Sequence, residues 1–258
     1  MSRRKWCLSV AAMVLAVGSA ASTAVAQSPS PGAPGGTAAA PSTAPGGSAG
    51  LTLPAEGGAL AQGHYIADVS PKAAISFDVA EDGWTGAGMP GYALVMDRED
   101  ASGSGEVIVT TFAGTVPADP CDRGGLMKDV PRTAAAFGDW LVAQPWAVGT
   151  SSPVTLDGQP AVQVDISSLK KVCADAPTMF VWNYADGAPF RLAPTEALRV
   201  VALDRNGEVI LVSAEVMHAS SLPAFLASAA PVIDSMRFSD AATVAGSPAP
   251  GASASTAP

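Results

Sequence analysis

The chain has 258 residues, with 14 Lys and Arg against 23 Asp and Glu, for a formal net charge of −9. Arg3, Arg4 and Lys5 are three of those basic residues, so the remainder is more acidic still. A surface of that sign is repelled by phosphate backbones and anionic lipid, which argues against nucleic acid as a partner and against simple electrostatic membrane binding.

Residues 1–26 read as an export signal: the basic triplet, an apolar run from Leu8 to Val17, and Ala24-Val25-Ala26 as a cleavage site before Gln27. A retained anchor is the alternative, because Trp6 to Ala26 is long enough to span a bilayer, and membrane attachment would then follow. Ser2-Arg3-Arg4 ahead of Trp6 also fits a twin-arginine signal, a pattern that short basic segments produce by chance. Either route predicts a secreted or extracytoplasmic protein, with cell-envelope association open. Residues 27–58 are rich in Ala, Pro, Gly, Ser and Thr, too poor in bulky apolar side chains to offset their ordering entropy, and read as a disordered spacer. Residues 241–258 repeat that composition as a tail, leaving a folded unit of about 59–240.

That unit opens with a strand from His64 to Val69, broken at Pro71, and a second from Ala74 to Val79, where Ile75, Phe77 and Val79 alternate with Ser76 and Asp78. Glu81 to Trp84 reads as a turn. Tyr92–Asp97 and Gly105–Phe112 are the next strands, with Arg98–Ser104 an exposed loop between them. Val116 to Arg132 reads as a long irregular loop. Thr133 is placed to cap a helix over Ala134–Gln144, with Phe137 and Leu141 on one stripe. Asp157-Gly158 joins strands Ser152–Leu156 and Pro160–Ser167, and Asp186-Gly187 follows an aromatic strand over Met179–Tyr184.

Leu198 to Val216 carries the strongest local signal. Asn206-Gly207 suits a two-residue type I′ turn, in which both residues need positive φ. That register sets Arg205 against Glu208, Leu203 against Ile210 and Val201 against Val212, with Ala202 against Leu211 and Asp204 against Val209 on the opposite face. Both faces are apolar, which predicts a central hairpin covered on both sides. A last helix begins at Ser221, with Pro231 expected to kink or split it, and Met236–Phe238 closes as a short strand.

Cys121 and Cys173 remain once a signal carrying Cys7 is removed, and export into an oxidising compartment favours a disulfide between them. Two buried thiols or half of a metal site are the alternatives. The element order predicts an α+β fold, an antiparallel β-sheet with helices packed on it, stapled by one disulfide. Ile75-Ser76-Phe77-Asp78-Val79 followed by Gly83-Trp84, with Ser235-Met236-Arg237-Phe238 at the end, resembles exported bacterial PsbP-like α/β/α sandwich domains. Ala80 stands where those domains usually have Pro, and the Cys pair is a further departure. The resemblance implies a non-catalytic module that binds partners or small apolar ligands, and it carries over no functional residue.

Catalytic patterns are sparse. Gly46-Gly47-Ser48-Ala49-Gly50 has the letters of a nucleophile elbow but lies in the spacer, where no strained turn can hold it. His64 and His218 are the only bases of their kind, and both read as ordinary strand-end histidines. Asp97, Glu99 and Asp100, like Asp119 and Asp122, read as solvated loop acids. Asp204 to Glu208 lacks the spaced ligands of a calcium loop, and no metal or cofactor is expected. The one binding candidate is aromatic: Phe180, Trp182 and Tyr184 share a strand face, and a two-residue Asp186-Gly187 turn would set Arg191 opposite Trp182, shaping a partly open apolar pocket. The expected function is a non-catalytic binding or protein-interaction module, with a carrier of a small apolar ligand or lipid, and then a hydrolase, as the alternatives.

Overall fold

The computed structural model describes residues 50–54, 57–89, 93–100, 103–122, 127–130, 132–170, 173–174, 177–184 and 187–241. The expected signal and most of the spacer and tail lie outside these residues. In chain order the strands are β1 (Leu51–Thr52), β2 (Gly58–Ala59), β3 (Gly63–Ser70), β4 (Ala73–Val79), β5 (Trp84–Met89), β6 (Ala93–Asp100), β7 (Gly103–Thr111), β8 (Thr115–Pro117) and β9 (Met127–Asp129). Helix α1 (Ala134–Val142) follows, then β10 (Ala147–Leu156), β11 (Gln159–Leu169), β12 (Met179–Asn183), β13 (Pro189–Leu192), β14 (Ala197–Arg205), β15 (Glu208–Val216), helix α2 (Leu222–Ser235) and β16 (Arg237–Ser239). The end of the expected spacer is thus part of the fold, with Leu53 buried in it.

The β14–β15 hairpin has the register read from its turn, Arg205 on Glu208 through Val201 on Val212, with Asn206 and Gly207 at φ 50° and 74°. It lies at the middle of an eight-stranded antiparallel sheet ordered β10-β11-β14-β15-β7-β6-β5-β2. Val201, Leu203, Ile210 and Val212 point into one core, and Leu198, Val200, Val209 and Leu211 into the other.

The expected α+β sandwich is overturned. The molecule is mostly β, and the described residues contain only two α-helices. The first face of the large sheet is closed mainly by a second sheet, ordered β1-β3-β4-β16, through Tyr65, Val69, Ile75 and Phe77, with α2 alongside. The second face is closed by α1 and by the β12–β13 hairpin. Local patterning cannot say whether a sheet is covered by helices or by another sheet, since both present the same apolar stripe. Two of the extra strands escaped notice for local reasons: β5 carries Gly86 and Gly88, and β1 has only two residues.

Thr133 caps α1 as its position predicts, its hydroxyl accepting from the Ala136 N–H at 3.2 Å. The Asp204 carboxylate takes the Ala134 N–H at 2.9 Å, so the helix start is tied to the central hairpin. α2 runs unbroken through Pro231, whose ring is on the solvent side. Cys121 and Cys173 form the expected disulfide, with Cα atoms 5.3 Å apart, a bond consistent with an extracytoplasmic, oxidising location. Cys121 lies in the connection between β8 and β9, which pair as a small antiparallel ladder.

Candidate functional site

The aromatic strand is where the sequence placed a pocket. Tyr184 and Ala188 are joined by the Tyr184 N–H to the Ala188 carbonyl at 2.9 Å, so the connection holds three residues rather than two; Asp186 itself lies outside the described residues. The register therefore shifts. Trp182 faces Phe190, and a bulge at Val181 sets Phe180 against Arg191. The Arg191 guanidinium sits over the Phe180 ring, 4.6 Å from its centroid, and not over Trp182. Trp182 is 1% exposed, stacked on Phe190 at 4.0 Å and met edge-on by Phe137 at 5.4 Å. Phe180 is buried as well, and Tyr184 is only partly exposed. These side chains form core, so the strand presents no open aromatic wall at Trp182.

An opening exists on the other face of the large sheet. α2 packs on β4, β7 and β15, and between it and the β10–β11–β14–β15 part of the sheet lies a groove of about 250 Å³. Its apolar lining comes from Val154 and Leu156 of β10, Val201 of β14, Val212 of β15, and Leu226 and Ile233 of α2. Gln163, Arg199 and Asp234 supply polar groups. Arg199 is already engaged: its Nε and Nη2 donate to the two Asp165 carboxylate oxygens at 2.6 and 3.1 Å, across directly opposed positions of β14 and β11. The Gln163 amide donates to the same carboxylate at 2.9 Å. The cation at the groove is therefore charge-balanced, and what remains is mainly apolar surface with the Asp234 carboxylate on the α2 side.

A second cluster is acidic. Asp97, Glu106 and Glu215 occupy directly opposed positions on β6, β7 and β15, one row across three strands. Burial pushes Glu215 up to about 9, reinforced by the charges of Glu106, Glu196 and Asp97. Burial likewise raises Glu106 to about 7, with Asp97 and Glu196 adding to it. Asp97, which is exposed on one side, and Glu196 are also raised by partial burial, the latter against an opposing hydrogen bond from the Ala193 N–H. Asp97 is thus a strand residue within a coupled row and not a loop acid. The row escaped sequence reading because each strand contributes only one carboxylate, and register alone aligns them.

Among the described residues no hydrogen bond joins a histidine ring to a serine, threonine or cysteine side chain. His64 Nδ1 lies 2.7 Å from Asp78 across β3 and β4, on an exposed edge. Ser235 Oγ accepts from the Asp78 N–H but donates its own proton to the Val232 carbonyl. His218 is exposed beyond the end of β15. Ser48 lies outside the described residues. Among the described residues no group of three or more His, Cys, Asp or Glu side chains is arranged to hold a metal ion, and none of the described helices is long and apolar enough to cross a membrane. No protein-family model matches this chain, and no curated protein matches it.

Proposed function

We propose that this domain is a non-catalytic binding module whose seat for a small apolar ligand is the groove between α2 and β10, β11, β14 and β15. The observation that carries the reading is the groove itself, an apolar recess of about 250 Å³ whose only guanidinium is neutralised by Asp165. A cavity of about 150 Å³ takes a benzene ring. This one has room for a ring with a short alkyl arm, which puts it at the small end of ligand pockets. Burial of apolar area, at roughly 25 cal/mol per Å², would drive binding, and little polar selectivity would accompany it. The likeness of Ile75–Val79 and Ser235–Phe238 to PsbP-like motifs supports the same class of function; those two stretches are neighbours, with Phe238 paired to Ile75.

The test is methyl NMR with a panel of neutral aromatic and aliphatic compounds. Shifts confined to Val154, Val201, Leu226 and Ile233, and abolished by Ala230→Phe in the groove wall, are expected. Unmoved groove methyls at millimolar concentrations of every compound would end the proposal.

A further inference from the structure

We infer that the Asp97–Glu106–Glu215 row, flanked by Glu196, is a proton-operated latch: protonated, it holds one end of the large sheet closed, and ionised, it drives that end apart. The geometry carries this. Cross-strand neighbours in direct register stand about 4.5–5.5 Å apart at Cβ, where like charges are destabilising. Here three carboxylates lie in succession across β6, β7 and β15. Glu215 Oε2 is buried and accepts no hydrogen bond. An ionised oxygen in that setting has neither water nor a donor to compensate it, whereas a protonated carboxyl can donate to a neighbouring one.

Among the described residues, none supplies a cation to the row. The next positions on the same face are Val95, Ile108 and Ser213, which are uncharged, and Glu99, another acid. On the far side Glu215 meets Leu198 of β14. Glu196, in the turn before β14, is tied to Ala193, its carboxylate accepting that N–H at 2.6 Å. Of the elements packed on this face, α1 brings Asp139 and no basic residue, and Arg191 of the β12–β13 hairpin is engaged with Phe180. Lys128 of β9 and His218 beyond β15 are exposed. Among the described residues, none of the four carboxylates has an ion-pair partner.

The direction follows from linkage. These groups hold their protons more tightly folded than unfolded, so their contribution to stability is complete below the ordinary glutamate value of 4.5. It is lost as pH rises through about 7 for Glu106 and about 9 for Glu215. The fold should therefore be tightest in mild acid and should loosen at this strand end in alkali.

Carbon-13 carboxyl NMR on the intact protein, with urea unfolding at about pH 5 and about pH 8.5, provides the test. Glu215 and Glu106 should titrate well above the usual glutamate range. The unfolding midpoint should fall between the two pH values in the wild type, and that fall should shrink in Glu106→Gln and shrink much further in the double Glu106→Gln/Glu215→Gln protein. Amide exchange should quicken in alkali first at residues 96–98, 104–107 and 213–216, once corrected for intrinsic rates. Ordinary glutamate titration in the wild type overturns the latch even if a variant fails to fold, and so does an unchanged pH slope in the double variant.

Discussion

Asp157, the first residue of the β10–β11 turn, accepts the backbone N–H of Phe238 in β16 at 2.8 Å, which ties the tip of one hairpin to the closing strand of the other sheet. Asn206, in the equivalent position of the β14–β15 turn, donates to Asp240 at 2.7 Å and to the Lys72 carbonyl at 3.2 Å. Both residues hold positive φ, 52° and 50°. The two turns thus act as clips between sheets as well as reversals. Replacing either residue by Gly keeps the turn and removes the clip. Both clips use a carboxylate acceptor, but the Asp157 bond is part-buried and the Asn206 bonds are exposed, so Asp157→Gly should cost about 1–2 kcal/mol and Asn206→Gly less than about 1. Alanine at either position should cost a further 1 kcal/mol or so for the left-handed backbone. Urea midpoints of the four variants give the ranking; equal values for the two glycine variants would contradict it.

The disulfide joins residues separated by 52 positions. Cross-linking a loop of that size lowers unfolded-chain entropy by an amount worth about 4 kcal/mol. A Cys121→Ser/Cys173→Ser chain should lose stability of that order, and mass spectrometry of a non-reduced digest should show the two peptides linked. Recovery of the peptides unlinked would remove the staple from the account.

At Gly105 of β7, α2 sits close on the large sheet: a Cβ there would clash with the Phe225 ring. Phe225 is 2% exposed and has little room to move. Gly105→Ala should destabilise by about 1–3 kcal/mol, the usual range for overpacking. Adding Phe225→Leu should restore part of the loss, a non-additivity that thermal melts of the single and double variants would reveal.

Asp165 decides the chemistry of the groove. With Arg199 neutralised and the Asp234 carboxylate also on the wall, a fatty alcohol should bind better than the matching carboxylate. Asp165→Asn frees the guanidinium and should raise affinity for the carboxylate by several-fold while leaving the alcohol unchanged. Both side chains are about a third exposed, so the loss of the pair itself should cost less than about 1 kcal/mol. Titration followed at the groove methyls compares the two ligands directly, and equal gains for both would rule out the charge-balance explanation.

Where local chemistry is decisive, the residues were legible alone. Asn206-Gly207 needs positive φ at both positions, so the hairpin register and its two apolar faces followed, as did the Thr133 cap, the β4 alternation and the Cys121–Cys173 bond. Legibility ended where one residue changed the count. A connection one residue longer than Asp186-Gly187 suggests moved Arg191 from Trp182 to Phe180 and closed the aromatic strand into the core. Neither the α2 groove nor the Asp97–Glu106–Glu215 row has a contiguous motif, because each draws single residues from strands far apart in the chain.

The order of residues by itself determined an acidic chain, a cysteine pair at 121 and 173 and a two-faced central hairpin, since turn geometry, alternation and composition act over a few positions. Only the tertiary structure decided that a second sheet shares the work of covering that hairpin, where α2 leaves an apolar recess, and that three carboxylates stand shoulder to shoulder. Those outcomes depend on strand order and register, which are set by the packing of all elements together and by no stretch alone.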